Sequence, residues 1–138
     1  MNLNLANALE ELINDGLEQV IFPYVKGNSI RIKYMIIRKS RAGWLVYDSK
    51  NNNQVACLFS KFSAVALAKG MAQGKDVLKT VKYADTVIKK NYIDCVFYKN
   101  IIRTTNDEIK KSITETRYEV SRERAQQAKN SLDGIIFD

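Results

Sequence analysis

The stretch from Ser29 to Ser60, SIRIKYMIIRKSRAGWLVYDSKNNNQVACLFS, constrains the fold more than any other part of the chain. Ser29–Lys39 is rich in β-branched and aromatic residues, and Ile30, Ile32, Tyr34 and Ile36 recur with period two, which predicts one apolar strand face. The opposite face then carries Arg31, Lys33, Met35, Ile37 and Lys39. Arg41-Ala42-Gly43 supplies a tight connection, and Trp44–Asp48 reads as a second strand paired antiparallel to the first. The Asn run 51–53 marks the next turn, because Asn tolerates the left-handed region and bonds its own backbone, and Gln54–Phe59 follows as a third strand. Val20–Val25 offers a fourth. Its Pro23 cannot donate to a ladder, which assigns that strand to an edge.

Helical patterns flank this unit. Leu3, Leu5, Leu9, Leu12 and Ile13 predict a short amphipathic N-terminal helix stopped by Gly16. After the strands, Ser60 is a fitting N-cap for a helix over 61–73, closed by Gly74. A longer helix is expected from Asp76 to about Asn100, although 91–102 also has strand character. One reading of it is a broad apolar stripe through Val77, Val81, Ile88 and Tyr92. The other is a seam of alternating four- and three-residue steps through Val77, Val81, Ala84, Ile88, Asn91, Cys95, Tyr98 and Ile102, with Asn91 buried to set register. Thr105-Asn106-Asp107-Glu108 has the form of a capping box with Thr105 at the N-cap, opening a last helix that runs to about Asp133 with Gly134 beyond its end. Its apolar stripe, Ile109, Ile113, Val120, Ala125 or Ala128, and Leu132, is thin and surrounded by charges of alternating sign. The expected class is α+β in one domain, 1–138: an N-terminal helix, an antiparallel meander of three to four strands, then a short helix and two longer C-terminal helices. Residues 1–74 form the first part and 75–138 a helical extension.

Charge is distributed unevenly. Residues 1–19 carry −4, residues 20–103 carry +12 and residues 104–138 carry −1. A basic centre can attract nucleic acid, and it can equally keep helix faces and edge strands soluble. Chemistry is harder to find. The chain has no His, and Cys57 and Cys95 stand apart without CxxC spacing, so the usual zinc and thiol-redox motifs are missing and no metal or cofactor is expected. GMAQGK at Gly70–Lys75 lacks the spacing of a phosphate-binding loop and its following Ser or Thr. Asp48, Asp94 and Glu115 are scattered carboxylates, so no catalytic residues are assigned and a non-enzymatic protein is expected. No window reaches the roughly 18 apolar residues of a spanning helix, and the acidic N-terminus is unlike a secretory signal, which points to a soluble protein of the cytoplasm.

The segments GWLVYDSKNNNQVACLFSKFSAVALAKG (Gly43–Gly70), NYIDCVFYKN (Asn91–Asn100) and ETRYEVSRERA (Glu115–Ala125) together resemble small uncharacterised proteins encoded by tailed phages of marine cyanobacteria. That resemblance implies a phage setting, in the host cytoplasm or the virion. Small proteins without enzymatic signatures act there as virion components, assembly factors or modulators of host machinery.

Two functional expectations follow. The first is a structural or interaction protein that forms homo-oligomers through its C-terminal helices, with Ile109, Ile113, Val120, Leu132, Ile136 and Phe137 as contact residues. The second is nucleic-acid binding by the sheet, with Arg31, Lys33 and Lys39 for phosphates and Trp44 and Tyr47 for stacked bases. Trp44 and Tyr47 are out of phase on one strand, which counts against the second.

Overall fold

The computed structural model describes residues 24–26 and 29–137. The expected N-terminal helix, with Leu3 to Ile13 and Gly16, lies outside them. Five strands, β1 (Tyr24–Lys26), β2 (Ser29–Ile32), β3 (Met35–Ser40), β4 (Gly43–Asp48) and β5 (Asn53–Leu58), form an antiparallel meander in sequence order. Helices α1 (Lys61–Ala72), α2 (Leu78–Thr104) and α3 (Glu108–Asn130) follow, with a last short turn of helix, α4 (Asp133–Ile136). The α+β class and the antiparallel sheet are as the sequence predicts, and β1 is an edge strand.

The stretch 29–39 is a hairpin and not one strand. Lys33 takes φ +53° at the first position of a two-residue turn, so Ile32 pairs with Met35 and Ile30 with Ile37. Each residue after the turn therefore changes face: Ile30, Met35 and Ile37 are buried together, while Ile36 lies opposite Arg31 on the other side. The turn is fastened from outside the sheet. Tyr34 Oη donates to the Met71 carbonyl (2.8 Å) and Lys33 Nζ to the Ala72 carbonyl (3.5 Å), two of the carbonyls that the end of α1 leaves without a helical partner. Between β3 and β4 the twist falls on Gly43 (φ +141°). A side chain there would bring Cβ within 2.5 Å of the Leu58 carbonyl oxygen. At the next turn Asp48 Oδ1 accepts from Lys50 N and Asn51 N, and Asn52 takes the left-handed conformation.

One face of the sheet, with Ile30, Met35, Ile37, Trp44, Val46, Ala56 and Leu58, packs on α1. Nearly every residue of α1 from Phe62 to Gly70 is buried, because Ala64, Ala66, Ala68 and Gly70 let other backbones approach from several sides. Ser60 is the N-cap, its Oγ accepting from Ser63 N (3.0 Å). At the other end Gly74 (φ +78°) donates to Met71 O and Lys75 N donates to Gly70 O, the two reversed bonds of a Schellman ending. A methyl on Gly70 would lie 2.6 Å from Val77 Cγ2 and 3.2 Å from Ile135 Cγ2. The C-terminal apolar segment docks here: Ile136 is fully buried and its carbonyl accepts from Lys69 Nζ.

A buried carboxylate joins the sheet, α1 and α2. Asp85 Oδ2 accepts from Phe59 N (2.8 Å), and Oδ1 accepts from Ser60 N (3.1 Å) and from the Ser60 hydroxyl (3.2 Å). The Ser60 and Ser63 hydroxyls are 2.7 Å apart, so Ser63 donates to Ser60 while Ser60 donates to Asp85.

Residues 91–102 are helical, which resolves their ambiguous pattern, and α2 runs on to Thr104. The expected capping box at Thr105 is not formed. Thr105 ends α2 with extended backbone, and Asp107 is the N-cap of α3, its Oδ1 accepting from Ile109 N (3.0 Å) and Lys110 N (3.1 Å). The three residues between the helices leave no room for the earlier start, and Asp is as good a cap as Thr. Helix α3 stops at Asn130, and Gly134 lies within α4 instead of ending the long helix.

Two outcomes are expected in thermal or denaturant melts. Asp107→Ala destabilises the protein by about 1 kcal/mol, the usual cost of losing a side-chain cap, and Thr105→Ala by less; the reverse order would place the start of α3 at Thr105. Asp85→Ala orphans buried donors on Phe59 and Ser60 and costs about 3 kcal/mol, whereas a loss below about 1 kcal/mol would mean that water replaces the carboxylate.

Candidate interaction surface

Helices α2 and α3, about 40 and 35 Å long at 1.5 Å per residue, form an antiparallel hairpin. On α2 the contact seam is Val81, Ala84, Ile88, Asn91 and Cys95, all buried, continued by the half-buried Tyr98 and Ile102. These positions belong to the expected heptad seam, but its first residue, Val77, packs at Gly70 of α1, and Tyr92 of the broader stripe is buried too. Buried Asn91 donates from Nδ2 to the Val87 carbonyl (2.8 Å). The facing seam on α3 is Thr114, Tyr118, Ser121, Ala125 and Ala128, small or polar except for Tyr118. Thr114 satisfies its hydroxyl on the Lys110 carbonyl (2.7 Å), and the Cys95 thiol donates across the seam to the Tyr118 carbonyl (3.8 Å).

The thin stripe read from the sequence of α3 is therefore two different faces. Ala125 and Leu132 point inward, while Ile109, Ile113 and Val120 are 75%, 50% and 42% exposed. At 100° per residue Ile109, Ile113, Thr116, Val120 and Gln127 fall within an arc of roughly 60°, well clear of the seam that meets α2. Of the six residues expected to mediate self-association, Ile109, Ile113 and Val120 share one open face and Phe137 is exposed separately. Leu132 and Ile136 are fully buried in the core and cannot contact a partner. Leu132 follows Ala125 by seven residues, on the inward side and away from Ile109, and it lies beyond the end of α3 at Asn130, where the chain turns toward α1.

Beside this stripe, between the start of α2 and the end of α3, runs an open groove of about 690 Å³ lined by Lys79, Tyr83, Val87, Arg124, Gln127 and Ala128, among others. Tyr83 is 75% exposed at its wall. Sequence reasoning passed over Tyr83 and Arg124. Their signal was an i, i+4 step, Tyr83 to Val87, offset from the main seam of α2. Ile93 and Phe97 (61% exposed) form a similar pair on the side of α2 turned away from α3.

The nucleic-acid candidates separate. Arg31 and Tyr47 share the outer sheet face in one cross-strand row, Arg31–Ile36–Tyr47–Gln54, and Arg38 and Leu45 lie in the next. Trp44 is on the covered face, only 8% exposed, with Lys39 and Lys61 ammonium groups 5.7 and 5.6 Å from its ring centroid. Lys33 reaches the end of α1. The idea that Arg31, Lys33 and Lys39 line one strand face fails because the turn at Lys33 reverses the chain between them.

Asp48 is committed to its turn and Asp85 to the Ser60 junction, while Glu115 is solvated on α3. Among the described residues no three Cys, Asp or Glu side chains gather as a metal-ligand set, and no helix is long and apolar enough to cross a membrane. Comparison with protein-family models, with curated proteins and with solved structures gives no match.

Burial pushes the Cys95 thiol from its ordinary 9.0 up to about 11, reinforced by Asp94 and Glu119 and opposed by Arg122. Cys57 is exposed on the outer sheet face. At pH 8 a thiol reagent should titrate Cys57 in the folded protein and Cys95 only after denaturation; two rapid equivalents would mean that the α2–α3 seam opens readily. The unfolded thiol ionises from about pH 9 while the folded one stays neutral to about 11, so stability should decline across that window.

Proposed function

We propose that this protein is a non-enzymatic interaction protein that self-associates through the open face of α3, in keeping with the phage assembly setting that the resemblance suggests. One observation carries the reading. The side of α3 that meets the rest of the chain is built from Thr114, Tyr118, Ser121, Ala125, Ala128 and Lys129, with no Val, Leu or Ile among them, while its β-branched apolar side chains, Ile109, Ile113 and Val120, stand exposed. β-Branched residues lower helix propensity, and on a solvated face they bury nothing to offset that. Contact with another surface supplies the burial, as it does for exposed apolar patches in general.

A narrower second reading places nucleic acid on the outer sheet face, supported by the alignment of Arg31, Arg38 and Tyr47. It lacks Lys33, Lys39 and Trp44, and it predicts binding that weakens steeply with salt.

Light scattering after size exclusion tests the main reading. At micromolar concentration the wild type should have at least twice its chain mass of 15.8 kDa. The Ile109→Gln/Ile113→Gln/Val120→Gln variant should run as a monomer with unaltered helical circular dichroism. A monomeric wild type, or a variant that stays associated, would refute it.

A further inference from the structure

The proposed self-association leaves the orientation of the two copies open, and the charges beside the stripe decide it. On the helical wheel Lys110, Arg117 and Arg124 line one edge of the Ile109–Ile113–Val120 stripe, the edge toward α2, where Arg124 also lines the groove with Lys79. Glu119 lies on the other edge, with Glu123 between it and the apolar residues, at the margin of the stripe. The stripe itself runs Ile109, Ile113, Thr116, Val120, Glu123, Gln127 in steps of four, three, four, three and four, a second heptad register on α3 beside the one that α2 fills.

We infer that two copies pair their α3 helices in parallel, about a two-fold axis that runs along the helices. With a two-fold perpendicular to α3 the helices are antiparallel, and each edge meets its own kind: Arg117 and Arg124 face the same basic edge of the partner, and Glu119 faces the partner's Glu119. With the axis parallel to α3, the basic edge meets the edge of Glu119 on both sides, Arg124 standing five residues along from the partner's Glu119 as in parallel coiled coils, and the one like-charge approach left is that of the two Glu123 side chains at the axis. The groove argues the same way. Its Lys79 and Arg124 make the α2 side of the stripe basic and concave, and parallel pairing lays the acidic edge of the neighbouring α3 along it, while Tyr83 and Val87 extend the apolar contact.

The inference rests on the proposed self-association, and two measurements separate their failures. In a Cys57→Ser background, Ile109→Cys should form an intermolecular disulfide with itself on mild oxidation, since parallel pairing brings the two copies of that position together. An equimolar mixture of Ile109→Cys and Gln127→Cys chains, the positions that antiparallel pairing would bring together, should give few mixed cross-links. Glu119→Arg should weaken association about tenfold, the order expected when two symmetric exposed pairs are lost; adding Arg124→Glu to it should restore the wild-type value. A wild type that is monomeric by light scattering overturns both readings. If the wild type associates but the cysteine variants cross-link position 109 to position 127, or Glu119→Arg leaves association unchanged, the parallel arrangement alone is overturned.

Discussion

Helix α1 is buried on nearly every side, and a helix can be so enclosed only if its side chains are small enough for several neighbours to reach its backbone. Ala64, Ala66, Ala68 and Gly70 meet that condition. The sheet packs across one side, α2 across another, and the C-terminal turn closes on Gly70, where an added methyl would collide with Val77 and press on Ile135. Fully buried Leu67 and Val65 supply the larger volume, and truncating a buried Leu to Ala generally costs about 2–5 kcal/mol. Apolar packing has little directionality, so polar anchors fix how the layers meet. Asp85 ties α2 to the β5–α1 junction, and Tyr34 and Lys33 tie the β2–β3 turn to the far end of α1. Each anchor uses backbone groups that a helix or strand terminus leaves unpaired.

The hairpin inverts the usual arrangement of an amphipathic helix. Between α2 and α3 the seam is small or polar on the α3 side except at Tyr118, and Asn91 and Thr114 are bonded to carbonyls of their own helices. Aliphatic side chains that would ordinarily fill such a seam are turned outward. A hairpin closed by Ala, Ser, Thr and Tyr118 leaves the larger aliphatic side chains of α3 on its outer face, the one that the proposed self-association uses. In the proposed pairing the flanking charges would bias orientation more than affinity, because exposed pairs are individually weak while like charges set opposite one another are unfavourable.

Much of this was legible in the chain. Period-two alternation and the turn residues located the meander, Ser60 and Gly74 marked both ends of α1, and the four-three spacing of α2 named the residues that meet α3. Where the reading slipped, a local rule met a competitor of equal strength. Lys33 is an ordinary strand residue and only its positive φ reveals the turn, so every face assignment beyond it was reversed. Thr105 and Asp107 are both good caps two residues apart, and the length of the connection chose between them. The nucleic-acid candidates shared this fault, since Lys33 and Lys39 join Arg31 on one face only in a strand that does not turn.

What the sequence by itself determined is the set of elements and the residues able to lie inside, because hydrophobic periodicity and cap chemistry act within a few residues of the chain. Which side of each element is covered was decided only by tertiary structure. Ile109, Ile113 and Val120 keep one helical spacing and Ala125 and Leu132, seven residues apart, keep another; the first three stand in solvent and the last two are buried. Which of the two faces is covered depends on where α2 lies, on the side of Ala125, and on the path of the chain after Asn130, which turns back to α1 and carries Leu132 and Ile136 into the core. Periodicity counts positions around a single helix axis, and it carries no information about where a second axis lies.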